Sequence, residues 1–478
     1  MERCERAGVP AVGIFGEGFI RMAEILARQA GIPRRRLIVY PGMIATEAAD
    51  RLVEVARTVL TPLVVAGIAP DDEEDAATAL ARPATPIVTG DAPEEDATTS
   101  RPTFTGTLDA VQDHFESRGW TDGLPIVPPT PDRVEAFLRH TPRDAHEVLG
   151  VYPPEHREAT VRTVAAHGVM AGCRPEYMPI LVAIAGCIAE PYYRLEDAGS
   201  TPGWEPLVIV SGPLVRELDF NAGTGVMRVG RRANTSVGRF TRLLLRNVAG
   251  FRIPPGVTDQ AGFGMTFNVA MAEDDDAVAV LGWPTFREDR GFAPADTVVT
   301  VQGSLIVSTP IYTHGDDPSE HLGTICEYLG HAIAPNVGLP SLKRGGAHNV
   351  LAMSPSIARV FASNGIGKPE IVRALVQGVR AEARTLQGRG TAFDIHEWAR
   401  EGRLPLEYAL SDDPRRLIRL MEKEEYLSVV VSGNPDRNQS RAYIGNHVQG
   451  APVSRRVEVV GDGGDGGDGG GGRTGGRE

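Results

Sequence analysis

The sequence predicts an α/β chain: a partial parallel βαβα (Rossmann-like) unit at the N-terminus, then a larger mixed α/β or α+β domain. Three observations carry that expectation. Short apolar runs at 9–15 and 37–40 alternate with stretches of helical periodicity, as parallel strands joined by a helical crossover do. Between 104 and 460, apolar strands again alternate with amphipathic helices, and no internal repeat appears. The two parts are separated by an acidic, proline-containing stretch, 67–103, too poor in large apolar residues to offset the entropy of ordering.

Taken in order, 1–66 opens with a helix tail at 2–6 and a strand at 9–15. The turn Gly16-Glu17-Gly18 leads to a helix over 19–29 with Ile20, Ala23, Ile25 and Leu26 at helical spacing. A second strand at 37–40 and the Pro41-Gly42 turn lead to a helix over 47–60 with Ala48, Leu52, Val55 and Val59 inward. Two parallel strands are too few for a stable sheet, so further strands are expected from elsewhere in the fold or from another chain, or this unit is the second half of a larger domain, the favoured expectation. The main domain, 104–460, should hold helices at 108–118, 132–138, 159–169, 179–189, 236–248, 318–332, 354–364 and 369–379. Its strands are expected at 207–211, 298–308, 349–353 and 426–432. The tail, 461–478, has 11 glycines and lacks the apolar position a stacked glycine–aspartate repeat needs, so it reads as disordered.

The net charge of −13 excludes a non-specific coat on nucleic acid or on an anionic membrane. Residues 68–100 contribute −8 and 461–478 contribute −2, leaving −3 for the remainder. No apolar run approaches the ~18 residues of a membrane helix, and no apolar stretch follows MERCERAGVP as a signal peptide requires. Cys4, Cys173, Cys187 and Cys326 form no CxxC pair, so a reducing cytoplasm is expected.

Four constellations could carry chemistry. Cys173 sits in Ala171-Gly-Cys-Arg-Pro-Glu-Tyr-Met-Pro, a turn between two helices. Arg174 beside it and Glu176 near the next helix start suggest a thiolate with a proton carrier; a buried structural thiol is the plain alternative, and the reading chosen for Cys187. Next comes the glycine- and arginine-rich loop 220–239, where Asn221, Gly223, Gly225, Arg228, Arg231, Arg232, Asn234 and Ser236 are candidate ligands of an anionic substrate. Free amides, arginines and an N-cap at 234–236 would together make an anion site. The third runs from His314 through Glu320, His321, Cys326 and Glu327 to His331. His314 is a candidate proton carrier, and Glu327 with His331 has the spacing of a shared metal, though no ligand set is complete. The fourth places Ser354 on a strand–helix turn with His348 before the strand, without the GxSxG of a hydrolase elbow; Gly365-Ile-Gly-Lys-Pro after it ends one helix and starts another.

The passage Arg6-Ala-Gly-Val-Pro-Ala-Val-Gly-Ile-Phe-Gly-Glu-Gly-Phe, with Tyr40-Pro-Gly-Met-Ile, resembles the second half of the UGSC family of (seleno)proteins. That family is named for a selenocysteine-or-cysteine, Gly, Ser, Cys motif. No Gly-Ser-Cys occurs here, so the reactive residue is not carried over. The main domain resembles an uncharacterised bacterial companion or fusion domain of that family. The resemblance rests on Gly119-Trp-Thr-Asp-Gly-Leu-Pro-Ile-Val-Pro-Pro-Thr, the GCRPEY motif, the 221–238 loop and 353–368. It implies a thiol-centred site more than a reaction.

The resulting expectation is an enzyme acting on a small anionic molecule through Cys173, by redox or nucleophilic chemistry, with Arg174, Glu176 and His314 assisting. No cofactor and no bound metal is named. Partners are the anionic substrate and a UGSC-type chain or a second copy, with neither nucleic acid nor membrane. The alternatives are a non-catalytic assembly subunit and a metal-dependent hydrolase or lyase.

Overall fold

Apolar alternation decides which way each strand faces, and in this chain it sorts side chains between layers. The computed structural model describes residues 10–16, 23, 27, 32, 36–41, 49–68, 103–195, 203–253, 263–334, 347–387, 399–400, 413–421, 423–445 and 452–460. Most of the acidic stretch, the glycine-rich tail, Cys4 and most of the helix expected at 19–29 lie outside them. The chain divides into two compact units, Met1–Ser100 and Arg101–Glu478.

In the first unit, β1 (Gly13–Gly16) and β2 (Leu37–Tyr40) pair in parallel, Gly13 opposite Leu37. Ala23 and Ala27, one helical turn apart, are buried against Leu37. The parallel pair agrees with the sequence. The following helix differs: α1 (Ala49–Val55) runs through a π-helical segment, Ala56–Leu60, into α2 (Thr61–Ile68). Wider winding shifts the phase of everything beyond it, so Val55 is buried while Val59, expected inward, is exposed. The helix also carries Gly67 and Ile68, read from the sequence as the start of the linker.

The second unit begins with α3 (Leu108–Ser117), α4 (Pro131–Leu138), the hairpin β3 (Val148–Tyr152) and β4 (Arg157–Thr160), α5 (Val161–Ala171) and α6 (Met178–Ile188). Then come β5 (Glu205–Ser211), α7 (Leu214–Glu217), α8 (Arg232–Leu244), β6 (Met271–Ala272), α9 (Asp275–Leu281), α10 (Phe286–Asp289), β7 (Val298–Ser304), β8 (Ile306–Val307) and β9 (Ile311–Tyr312). The remainder holds α11 (Pro318–Ile333), β10 (Asn349–Met353), α12 (Pro355–Ser363), α13 (Lys368–Gly378), the ladder β11 (Arg380–Glu382) and β12 (Leu417–Arg419), β13 (Leu427–Val431), β14 (Gln439–Ile444) and β15 (Val453–Arg456).

Two mixed sheets form the centre. One has the order β15-β7-β5-β6, with β5 and β6 parallel and the other pairs antiparallel. The other has the order β13-β10-β14-β8, with β9 also on β14; only β13 and β10 are parallel there. The period of two then assigns the faces. Val208 and Val210 of β5 join one core with α4, α5, α6 and α8, whereas Leu207 and Ile209 join Val350, Val430 and Tyr443 of the other sheet. Leu351, Met353, Val429 and Val431 turn the other way, to α11, α12 and α13. The unit is a helix–sheet–sheet–helix sandwich. Every residue of α6 is buried, as its unbroken apolar sequence requires, and it packs on β7 and β15.

Candidate active site

The residues chosen from sequence fold into a tight structural joint. Gly172 ends α5 in the left-handed conformation, and Cys173 N–H donates to Gly168 O at 3.0 Å, closing the helix. Cys173 is buried while Arg174 and Glu176 are exposed. The thiol faces Ser236, Arg232 and Arg239, and burial outweighs them, pushing it up to about 12. Burial thus works against the thiolate expected beside Arg174, and the guanidiniums that favour it, Arg232 and Arg239, come from α8. Those guanidiniums are engaged elsewhere. Arg232 Nε donates to Gly172 O at 3.0 Å, and Arg239 forks onto Asp122 at 2.9 and 2.8 Å. Burial raises the Asp122 carboxyl, but the Arg239 bonds and charge outweigh it and hold it below its ordinary value. Cys187 bonds Val299 O inside the core and burial pushes it up to about 12 as well.

The 220–239 loop spends its own donors. Asn234, fully buried, accepts from Asn221 N–H at 2.8 Å and donates to Asn221 O and Ala270 O. Gly223 N–H donates to Asn221 Oδ1, Arg228 N–H to Gly225 O and Gly230 N–H to Thr235 Oγ1. Arg231 pairs with Asp219 at 2.6 Å, and Ser236 Oγ donates to Arg232 O. Helix α8 starts at Arg232, so Asn234 and Ser236 lie inside its first turns and are not caps. The amides expected to meet an anion close the loop's own turns. The side chains of Arg228 and Arg174 make no hydrogen bond or ion pair within the described residues.

His314 is exposed on the turn after β9, as are Glu327 and His331 on α11. His321 is buried with both ring nitrogens bonded, to Thr313 Oγ1 at 2.7 Å and Gly315 O at 2.9 Å. Among the described residues no three His, Cys, Asp or Glu side chains gather as metal ligands. Ser354 and His348 stand at opposite ends of β10, roughly 20 Å apart at ~3.3 Å per residue, so they form no dyad. The His348 ring meets Tyr426 edge-on, and burial with the Arg290 charge lowers it to about 4.

Sequence reasoning passed over the arrangement with the strongest chemical character. Parallel β5 and β6 end side by side, and β13 ends beside them: Asp274 N–H donates to Val431 O at 2.9 Å, and Ser432 Oγ to Ala272 O at 2.7 Å. Carboxyl ends of parallel strands are where open sheets place ligands. Ser211 closes β5 and Glu273 follows β6. The Glu273 side chain is fully buried, accepting from Ser211 Oγ at 2.6 Å and from Phe286 N–H at 2.8 Å. The Phe286 ring is locked between the sheets, which fixes that donor. Lys368 Nζ lies 3.7 Å from Glu273 and 2.8 Å from Asp289. Burial raises Glu273 to about 7, with Lys368, Ser211 and Phe286 holding it down from a higher value. Arg287, also buried, donates to Ser211 Oγ at 3.1 Å and to Asp275 at 2.9 Å.

Glu273 borders a cleft of ≈650 Å³ whose apolar walls include Val215, Phe220, Val278 and Trp283, with Asp274, Asp275, Asp276 and Arg216 among its polar residues. Phe220 and Ala222 bring the arginine-rich loop to its edge. A smaller cavity, ≈160 Å³, lies beside Arg143 and Arg455, whose charges are met by Glu147, Glu458 and Glu190. The sequence signal for the larger cleft was an apolar run, 269–272, ending abruptly in four acids, the pattern of a strand delivering a carboxylate to a strand–helix turn.

Comparison with known proteins bears on the other unit. Residues 3–67 match the UGSC family. The UGSC match lies within the first unit, and the Glu273 cleft lies in the second. No curated protein and no solved structure matches the chain.

Proposed function

We propose that the protein is an enzyme that moves a proton to or from a small molecule held in the Glu273 cleft, with Glu273 as its acid–base group. The supporting observation is a fully buried carboxyl, raised to about 7, on a residue that lines a cavity of small-ligand size. A general acid–base works best when it ionises near the operating pH. Phe286 N–H and Ser211 Oγ aim the carboxyl, and Arg287 holds Ser211 in turn. Thiol chemistry at Cys173 on an anionic substrate is the competing proposal, and one experiment separates the two. The purified chain is incubated in D2O with the small-molecule fraction of a cell extract and followed by proton NMR. The wild type should consume or deuterate a component, Glu273→Gln should lose that activity by about 100-fold or more, and Cys173→Ser should retain it. Loss in Cys173→Ser with retention in Glu273→Gln overturns the assignment.

A second reading, an assembly role beside a UGSC-type chain or a second copy, is favoured by the first unit. Its two described strands carry little sheet, and Val53, Leu63 and Val65 are 67%, 45% and 60% exposed. The likeness of 104–460 to a companion domain belongs with this reading. Light scattering across a dilution series tests it: a constant monomer mass counts against self-association.

A further inference from the structure

The segment Gly365-Ile-Gly-Lys-Pro carries a feature that helix formation does not account for. Lys368 is the first residue of α13, where the helix macrodipole disfavours a cation. It is also 3% exposed, and lysines are seldom buried without a partner. Capping does not need its side chain, because Gly367 N–H and Glu370 close the helix start between them at 3.1 Å. A local rule broken twice at one residue points to a role outside the helix. The side chain ends between two carboxylates, 2.8 Å from Asp289 and 3.7 Å from Glu273.

We infer that Lys368 is a positioning residue of the Glu273 site: its ammonium, tethered by Asp289, holds the Glu273 carboxylate and decides when that group carries its proton. This rests on Glu273 being the acid–base group of the cleft. The groups facing Glu273 are Lys368 from α13, Ser211 from β5, Phe286 N–H from α10 and Asp275 from α9, with Arg287 reaching the same Ser211. Of these, Lys368 is the cation in contact with it. Asp289, 31% exposed at its side chain, shares the same ammonium, which is thus divided between two carboxylates.

The two partners should therefore act with opposite sign. Infrared difference spectra of the full chain against pH follow the protonated carboxyl of Glu273, identified by the band that Glu273→Gln removes. Lys368→Met should move its midpoint up by about one pH unit or more, tenfold in proton affinity, because the charge that favours the anion is gone. Lys368→Arg, which keeps the charge, should stay close to the wild type. Asp289→Asn should move the midpoint down, since the ammonium is no longer shared. A purely structural role would move stability in each variant and leave the sign pattern absent. If Lys368→Met does not fold, Lys368→Gln decides: an upward shift supports the inference, and no shift or a downward one overturns it. A wild-type Glu273 band with no titration near neutral pH overturns the acid–base reading and this inference together. A titrating band that Lys368→Met leaves in place overturns this inference alone.

Discussion

At the scale of single residues, the two candidate centres differ in what burial does to them. Cys173 and Glu273 are both withdrawn from water, and both protonated forms gain. For Cys173 burial disfavours the thiolate. In the native chain it should react with iodoacetamide roughly 1,000-fold more slowly than an unfolded cysteine, from its thiolate fraction alone. A native rate equal to that of the urea-unfolded chain, measured by mass spectrometry on the 173 peptide, would restore the thiolate. For Glu273 the result is a carboxyl raised to about 7. Its folded value, about 7, exceeds the ordinary 4.5, so the folded state binds more protons between those limits. Stability is then full below about pH 4.5 and falls as pH rises through about 7, by on the order of 3 kcal/mol. Glu273→Gln lacks that slope. Urea midpoints at about pH 5 and pH 8 should show the wild type losing ground to the variant; parallel pH curves would refute it. The sequence shows that Glu273 follows an apolar run but not that Ser211, Phe286 and Lys368, from distant segments, meet it, so the shift itself was not legible there.

Among the elements, local pattern was read well and exceptions to it were not. Residues 349–353 form the expected strand, and α6, α11 and α13 start and stop within two residues of expectation, because apolar spacing and proline starts speak locally. Strand β6 has two residues, too short for any periodicity, and β15 carries Ser454, Arg455 and Arg456, whose place is set by pairing with β7. The π-helical segment at Ala56–Leu60 likewise leaves no pattern to read. The turn after β5 shows how an element end serves the site. Gly212 has φ +128°, and a Cβ there would stand 2.4 Å from Asp296 O and 2.6 Å from Thr297 Cα, both backbone atoms. Gly212→Ala must shift either the cleft-lining turn or the β7 approach. The expected cost is on the order of 3 kcal/mol, from left-handed strain plus overlap. Thermal unfolding checks it, and a change within 0.5 kcal/mol, the range of an ordinary surface substitution at roughly ±0.5, would show the turn to be pliant.

For the whole molecule, the decisive property is that adjacent residues on one strand belong to different cores. An α/β class was legible because strands and helices alternate along the chain. That two sheets stack face to face was not, since β5 and β10 are far apart in sequence and their apolar residues look alike. The alternation makes the layering testable. Ile209 of β5 shares the inter-sheet core with Val350, whereas Leu351, next along the same strand, belongs to the core under α11, α12 and α13. Ile209→Ala and Leu351→Ala should each cost roughly 2–5 kcal/mol, and Val350→Ala somewhat less. Residues in one packed core couple, whereas those in separate cores add. The double variant Ile209→Ala/Val350→Ala should therefore depart from additivity by about 0.5 kcal/mol or more, while Ile209→Ala/Leu351→Ala should add within about 0.3–0.5 kcal/mol. Chemical denaturation of the three single and two double variants reads both cycles at once. The reverse pattern would mean that Leu351 rather than Val350 faces β5, placing α11–α13 on the wrong side of the second sheet and moving Lys368 away from Glu273.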